Sequence, residues 1–192
     1  IPVLKKYNFW QKAFFDRQMN QTQSGMDGKF DCYRRKTLIK LGLFDNKNFF
    51  RAGEDGDIFL KLQKIGQVIP TKATIIHFHS KDNSFSYQKI IYKQAQYSEA
   101  QGALLKKYGL LNIKHFIHTF FREMLIVGLF IPKLNLFSLI LILIYAFTYT
   151  KNTFCFYIPH PRIFLLPFFN IYLLFVSFFY SLRGFISGQQ KI

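Results

Sequence analysis

The sequence predicts an α/β domain followed by membrane helices, and three observations predict it. Behind a cluster of acids, Ile58, Phe59, Leu62 and Ile65 recur with helical spacing as far as Gly66. The β-branched run at residues 73–79 reads as a buried strand. Two runs free of charged residues, 134–150 over 17 positions and 163–182 over 20, come close to the roughly 20 residues that cross a bilayer core.

Taken in order, the elements divide the chain. The first residues carry no long apolar core, so they form no signal peptide, and the sequence reads as the tail of a longer protein. The Gln-rich patch at 18–23 reads as a loop. Residues 30–45 read as a short strand, a basic turn at Arg34 and Arg35, a short helix ending at Gly42, and a loop. In the helix expected over 53–66, Glu54, Asp55 and Asp57 occupy the first turn, where the macrodipole favours ionised carboxylates. A further helix is expected over 87–108, with Ile90, Ile91, Ala95, Leu104 and Leu105 at apolar positions. Lys106 and Lys107 stand in its last turn and Gly109 stops it. Composition changes near residue 113. The segment 113–131 mixes Phe116, Ile117, Phe120, Phe121, Met124 and Leu125 with His115, His118, Arg122 and Glu123, the pattern of an amphipathic helix lying in a membrane interface. Residues 132–192 then form a helical hairpin with spans at 134–150 and 163–182. Pro167 falls near the start of the second span, and Pro159 and Pro161 fall in the loop between them.

Charge and apolar content together point to a membrane. Lys and Arg number 26 against 10 acids, a net charge of +16, which calls for a polyanionic partner. Yet the chain is 50% hydrophobic with 25 Phe and carries no nucleic-acid-binding motif, so an anionic membrane surface accounts for both properties and nucleic acid does not. Cys32 and Cys155 form neither a disulfide framework nor a zinc site. Two spans place Arg183 and Lys191 on the same side as the basic domain. By the positive-inside rule that is the cytoplasmic face of a plasma or inner membrane.

The order of motifs over residues 25–110 carries a resemblance. An aromatic segment Phe30-Asp31-Cys32-Tyr33 meets Arg34-Arg35. Gly42-Leu43-Phe44-Asp45 follows, then Glu54-Asp55-Gly56-Asp57-Ile58 at a helix start, then the run ending His77-Phe78-His79. This resembles the C-terminal half of a family 2 glycosyltransferase with the Rossmann-like GT-A fold, so the α/β domain is expected to be a partial GT-A domain over residues 1–112. The resemblance implies transfer of a sugar from a nucleotide-diphosphate donor, with inversion, to a lipid-linked or polysaccharide acceptor. By motif position Asp55 is the base that takes the acceptor proton, with Glu54 beside it orienting the acceptor. Arg34 and Asp57 become candidates for binding substrate or diphosphate; for Asp57, helix capping or a local ion pair is the equal alternative. A divalent metal, Mn²⁺ or Mg²⁺, is implied at the donor diphosphate. It would be held mainly by an Asp-x-Asp motif that does not precede Gly53 here. One at most of His77 and His79 would complete its shell, since residues two apart on a strand face opposite ways.

One departure narrows the reading. Processive polysaccharide synthases of this family carry Gln-x-x-Arg-Trp after the His strand, and Lys93-Gln94-Ala95-Gln96-Tyr97 lacks both Arg and Trp. That favours transfer of one or a few sugars. The alternative is a non-catalytic membrane anchor or docking subunit that binds anionic lipid.

Overall fold

The structure, a computed structural model, describes residues 7–19, 32–66, 69, 82–110, 113–151, 153 and 160–192. Its helices are α1 (Phe9–Met19), α2 (Arg35–Lys40), α3 (Glu54–Gln63), α4 (Tyr87–Tyr108), α5 (Ile113–Leu129), α6 (Asn135–Thr148) and, after a 3₁₀ turn at Pro161–Leu165, α7 (Leu166–Ser187). Among the described residues every regular element is helical and no strand occurs. This corrects the α/β expectation: the described chain is not a Rossmann-like GT-A fold. The physical reason lies in what covers the apolar residues. Phe49, Ala52 and Leu60 bury themselves against Ala100, Ala103 and Leu104 of helix α4, with no sheet among the described residues to cover. The segment Cys32–Arg34 approaches α2 without forming a strand. The strand expected at 73–79 lies outside the described residues.

Several helices form where local chemistry asks for them. Helix α2 ends at Gly42, whose φ of +81° is the left-handed conformation that glycine adopts without strain. Helix α4 has the bounds its pattern predicts, and the Gly109 N–H donates to the Leu105 carbonyl at 2.8 Å. Helix α3 starts at Glu54 as expected, but its buried face differs. Asp57, Ile58 and Leu60 point inward while Ile65, expected on that face, is exposed. Helix α1 has no amphipathic pattern to announce it. Asn8 caps it, accepting from the Gln11 N–H at 2.9 Å, and Phe9 and Ala13 pack on Ile163 and Leu166. The loop expected at 18–23 thus begins inside the last turn of α1.

The centre of the molecule is the crossing of α4 and α7. Their contacts advance together, from Ser98 beside Ser177 to Lys106 beside Ile186, so the helices run parallel. They touch backbone to backbone at Gly102 and Gly184, where any side chain would collide with the opposite main chain.

Helices α5, α6 and α7 bury a core of Leu125, Ile126, Ile142 and Leu174, place several polar side chains inside beside it, and turn large apolar side chains outward. On α6, Ser138, Ile142 and Ala146 are buried while Leu136, Phe137, Leu139, Ile140, Leu143 and Phe147 face outward. On α7, Asn170, Ser177 and Ser181 are buried while Phe168, Phe179 and Ile186 face outward. On α5, Ile117, Phe121, Met124 and Val127 are exposed, whereas Glu123 turns in to accept from the Ser181 hydroxyl at 3.0 Å and from the Ser177 hydroxyl. The stretch Pro161–Ser187 is the one helix among the described residues long and apolar enough to cross a membrane, at 27 residues. Helix α6, at 14 residues, reaches about 21 Å at 1.5 Å per residue, short of a hydrocarbon core of roughly 30 Å.

Candidate functional site

The carboxylates singled out by the sequence gather where α3 leaves an irregular loop and lies on α4. Gly53 makes this possible in two ways. Its φ of +91° suits a residue without a Cβ, and a Cβ there would stand 2.8 Å from the Ala100 Cβ and 3.0 Å from the Phe49 ring. The close approach sets Glu54 and Asp55, both half-buried, at the first turn of a helix fixed on its neighbour. One Glu54 oxygen, Oε2, is buried with no hydrogen-bond partner.

Asp57 has a different environment. It is fully buried, and Lys61 Nζ stands 2.7 Å from Oδ2 while Lys107 Nζ and the Tyr108 hydroxyl, the latter at 2.6 Å, reach Oδ1. Lys107 also pairs with Asp45 Oδ2 at 2.8 Å, and Asn48 donates to both Asp45 oxygens. The two acids therefore clamp the loop to α3 and α4 through a shared ammonium. Burial drives the Asp57 pKa upward, but the hydrogen bonds from Lys107, Lys61 and Tyr108 outweigh it and the net shift is down. For Tyr108, burial and the bond to Asp57 act in the same direction and hold its proton on.

This clamp predicts an acid limit. Burial raises the Asp45 pKa, yet Lys107 and Asn48 prevail and hold the carboxyl at about 2. Both folded-state values lie below the roughly 3.9 of an unfolded Asp, so their stabilisation is complete above about pH 4 and disappears as pH falls toward about 2. Melting temperature measured against pH in detergent should drop across that window, and Asp45→Asn should flatten the drop. An identical slope in the variant would remove Asp45 from the clamp.

The other candidates are placed as follows. Arg34 is exposed at the start of α2. His77 and His79 lie outside the described residues. Among the described residues no three His, Cys, Asp or Glu side chains converge as a metal's ligand set would. Sequence reasoning missed the pairing of Lys107 with Asp57 across 50 positions of chain. Its one signal was Lys107 in the last turn of α4, which reads as an ordinary helix-end cation. In comparisons with known proteins, no family model, no curated protein and no solved structure matches this chain.

Proposed function

We propose that the chain is the acceptor-side part of a membrane-anchored, inverting glycosyltransferase of the family 2 kind. It would move a sugar from a nucleotide-diphosphate donor to a hydroxyl of a lipid-linked or cell-surface glycan. The observation that carries this reading is the Glu54–Asp55 pair on the first turn of a helix anchored to α4, one loop after Gly42-Leu43-Phe44-Asp45. The reading rests on that order of residues and on no sheet.

In this reading the Asp55 carboxylate takes the proton of the acceptor hydroxyl as its oxygen bonds the anomeric carbon. The bond from that carbon to the diphosphate breaks in the same step, and the leaving group keeps the electron pair. Glu54, half-buried beside it on the same helical turn, orients the acceptor. Asp57 takes no substrate, because Lys61, Lys107 and Tyr108 occupy its oxygens. Arg34 supplies positive charge toward the diphosphate from an exposed position. The helix at Pro161–Ser187 crosses the bilayer and the apolar outer faces of α5 and α6 meet lipid beside it, with the carboxylates on the cytoplasmic side.

The outward apolar faces also favour a second reading, a non-catalytic anchor or docking subunit on anionic lipid. One assay separates the two. Transfer is measured in membranes holding the whole protein that contains this chain, with a panel of nucleotide sugars, Mn²⁺ and extracted lipid-linked acceptors. Removing a general base should lower kcat about 10³-fold in Asp55→Asn with donor binding kept. Turnover near the unmodified rate in that variant rules out Asp55 as the base. No turnover with any donor, despite normal insertion, supports the anchor.

A further inference from the structure

Residues 188–192 turn back from the end of α7 to the loop that precedes Glu54 and Asp55. Gly188, at φ +72°, makes the turn, its N–H donating to the Gly184 carbonyl at 2.8 Å. Gln190 is then buried, at 3% exposure. Its own N–H donates to the Asn48 carbonyl at 2.8 Å. Its side-chain Oε1 accepts from two consecutive backbone N–H groups, Arg51 at 2.9 Å and Ala52 at 3.0 Å. On the other side, fully buried Glu99 of α4 accepts the N–H groups of Lys191 at 2.8 Å and Ile192 at 2.9 Å through Oε2, and pairs with Arg183 at 3.1 Å through Oε1.

These contacts join three things that are distant in sequence. The loop of residues 45–53 has no ladder or helix to satisfy its backbone, so buried donors such as the Ala52 N–H need an acceptor from elsewhere. Gln190 supplies it. Glu99 holds the next two residues of the same segment, and its chain neighbour Ala100 is the surface on which Gly53 sits. The segment thus bridges the helix that is apolar enough for a membrane, the central helix α4 and the two residues that precede Gly53-Glu54-Asp55.

We infer that residues 188–192 form a strap that fixes the Glu54–Asp55 turn, with Gln190 as its positioning residue. The catalytic half of this inference rests on the proposed role of Asp55; the mechanical half does not. A base must sit within a fraction of an ångström of its proton to be effective, and a loop freed from its acceptor loses that placement while the rest of the fold stands.

The test uses the whole protein in lipid nanodiscs and compares it with Gln190→Met, which keeps the length of the side chain and removes the acceptor. Amide hydrogen exchange at Arg51 and Ala52 should quicken about tenfold or more, with α4 and α7 amides unchanged. In the transfer assay kcat should fall at least tenfold with the acceptor KM unchanged, a split that general loss of folded protein does not produce in active-site-titrated enzyme. Unchanged exchange at Arg51 and Ala52 overturns the strap, and faster exchange with an unchanged kcat overturns its positioning role. If Gln190→Met loses protection throughout α4, Gln190→Asn is judged by the same criteria, since it keeps the amide and shortens its reach. Should the unmodified protein transfer no sugar, the glycosyltransferase reading fails, while the exchange comparison still decides the strap.

Discussion

Gly102→Val is expected to break the helical core, at a cost on the order of 3 kcal/mol, with a parallel loss in Gly184→Val. A Cβ at 102 would lie 1.9 Å from the Ser181 carbonyl oxygen and 2.8 Å from the Phe185 nitrogen; one at 184 would lie 1.9 Å from the Glu99 carbonyl oxygen. Both obstacles are main chain, so no change of rotamer relieves them and α4 must move off α7. That movement would also part Ser98 from Ser177, breaking a buried polar contact between the two helices. Gly66→Ala is the control: a Cβ there meets nothing within 4 Å, and the change should stay within about 0.5 kcal/mol. Chemical denaturation in detergent followed by circular dichroism measures all three. A Gly102→Val protein as stable as the control would mean that the helices do not approach this closely.

Asp57→Ala should cost about 3 kcal/mol, toward the low end for breaking a buried pair, because Lys61 and Lys107 keep some contact with solvent. The loss comes from what stays behind, namely two ammonium groups and the Tyr108 hydroxyl that have lost their shared acceptor. Lys107 retains Asp45, which limits the damage. The double change Asp57→Ala with Lys107→Met should recover part of the stability, since it removes the stranded charge together with its partner. This experiment separates the two roles open to Asp57 from its sequence position. A residue that served only substrate would lower transfer with no effect on the unfolding midpoint, and that result would refute the structural role.

The helix start at Glu54 was legible in the sequence, and its surroundings were not. Glu54 and Asp55 do open a helix, because three acids ahead of an apolar period are a helix-start signal that needs no tertiary information. Which face of that helix turns inward depended on α4: Asp57 is buried because Lys61 and Lys107 are there to receive it, and Ile65 is left outside. The expected α/β domain was the largest error. A β-branched or aromatic segment becomes a strand only when another strand pairs with it, and the Cys32–Arg34 segment has none among the described residues. Helix α5 was read as amphipathic with Arg122 and Glu123 at an interface, yet Glu123 points into the bundle because Ser177 and Ser181 wait there. Helix α1 carried no readable period because several elements enclose it, with Ile163 and Leu166 on one side and Phe85 on another.

By itself the sequence determined what one or two helical turns can decide. It set α4 between Tyr87 and Gly109, ended α2 at Gly42, put acids on the first turn of α3, and supplied apolar length enough at Pro161–Ser187 to cross a membrane. Capping, glycine stops and apolar runs act between near neighbours, so they are written locally. The tertiary structure alone decided the rest: the parallel contact of α4 with α7 at Gly102 and Gly184, the pairing of Lys107 with Asp57, and the return of Gln190 to Arg51 and Ala52. Those contacts join groups 50 to 139 positions apart. A hydrogen bond or a glycine gap of that kind has value only once both partners have been folded into place.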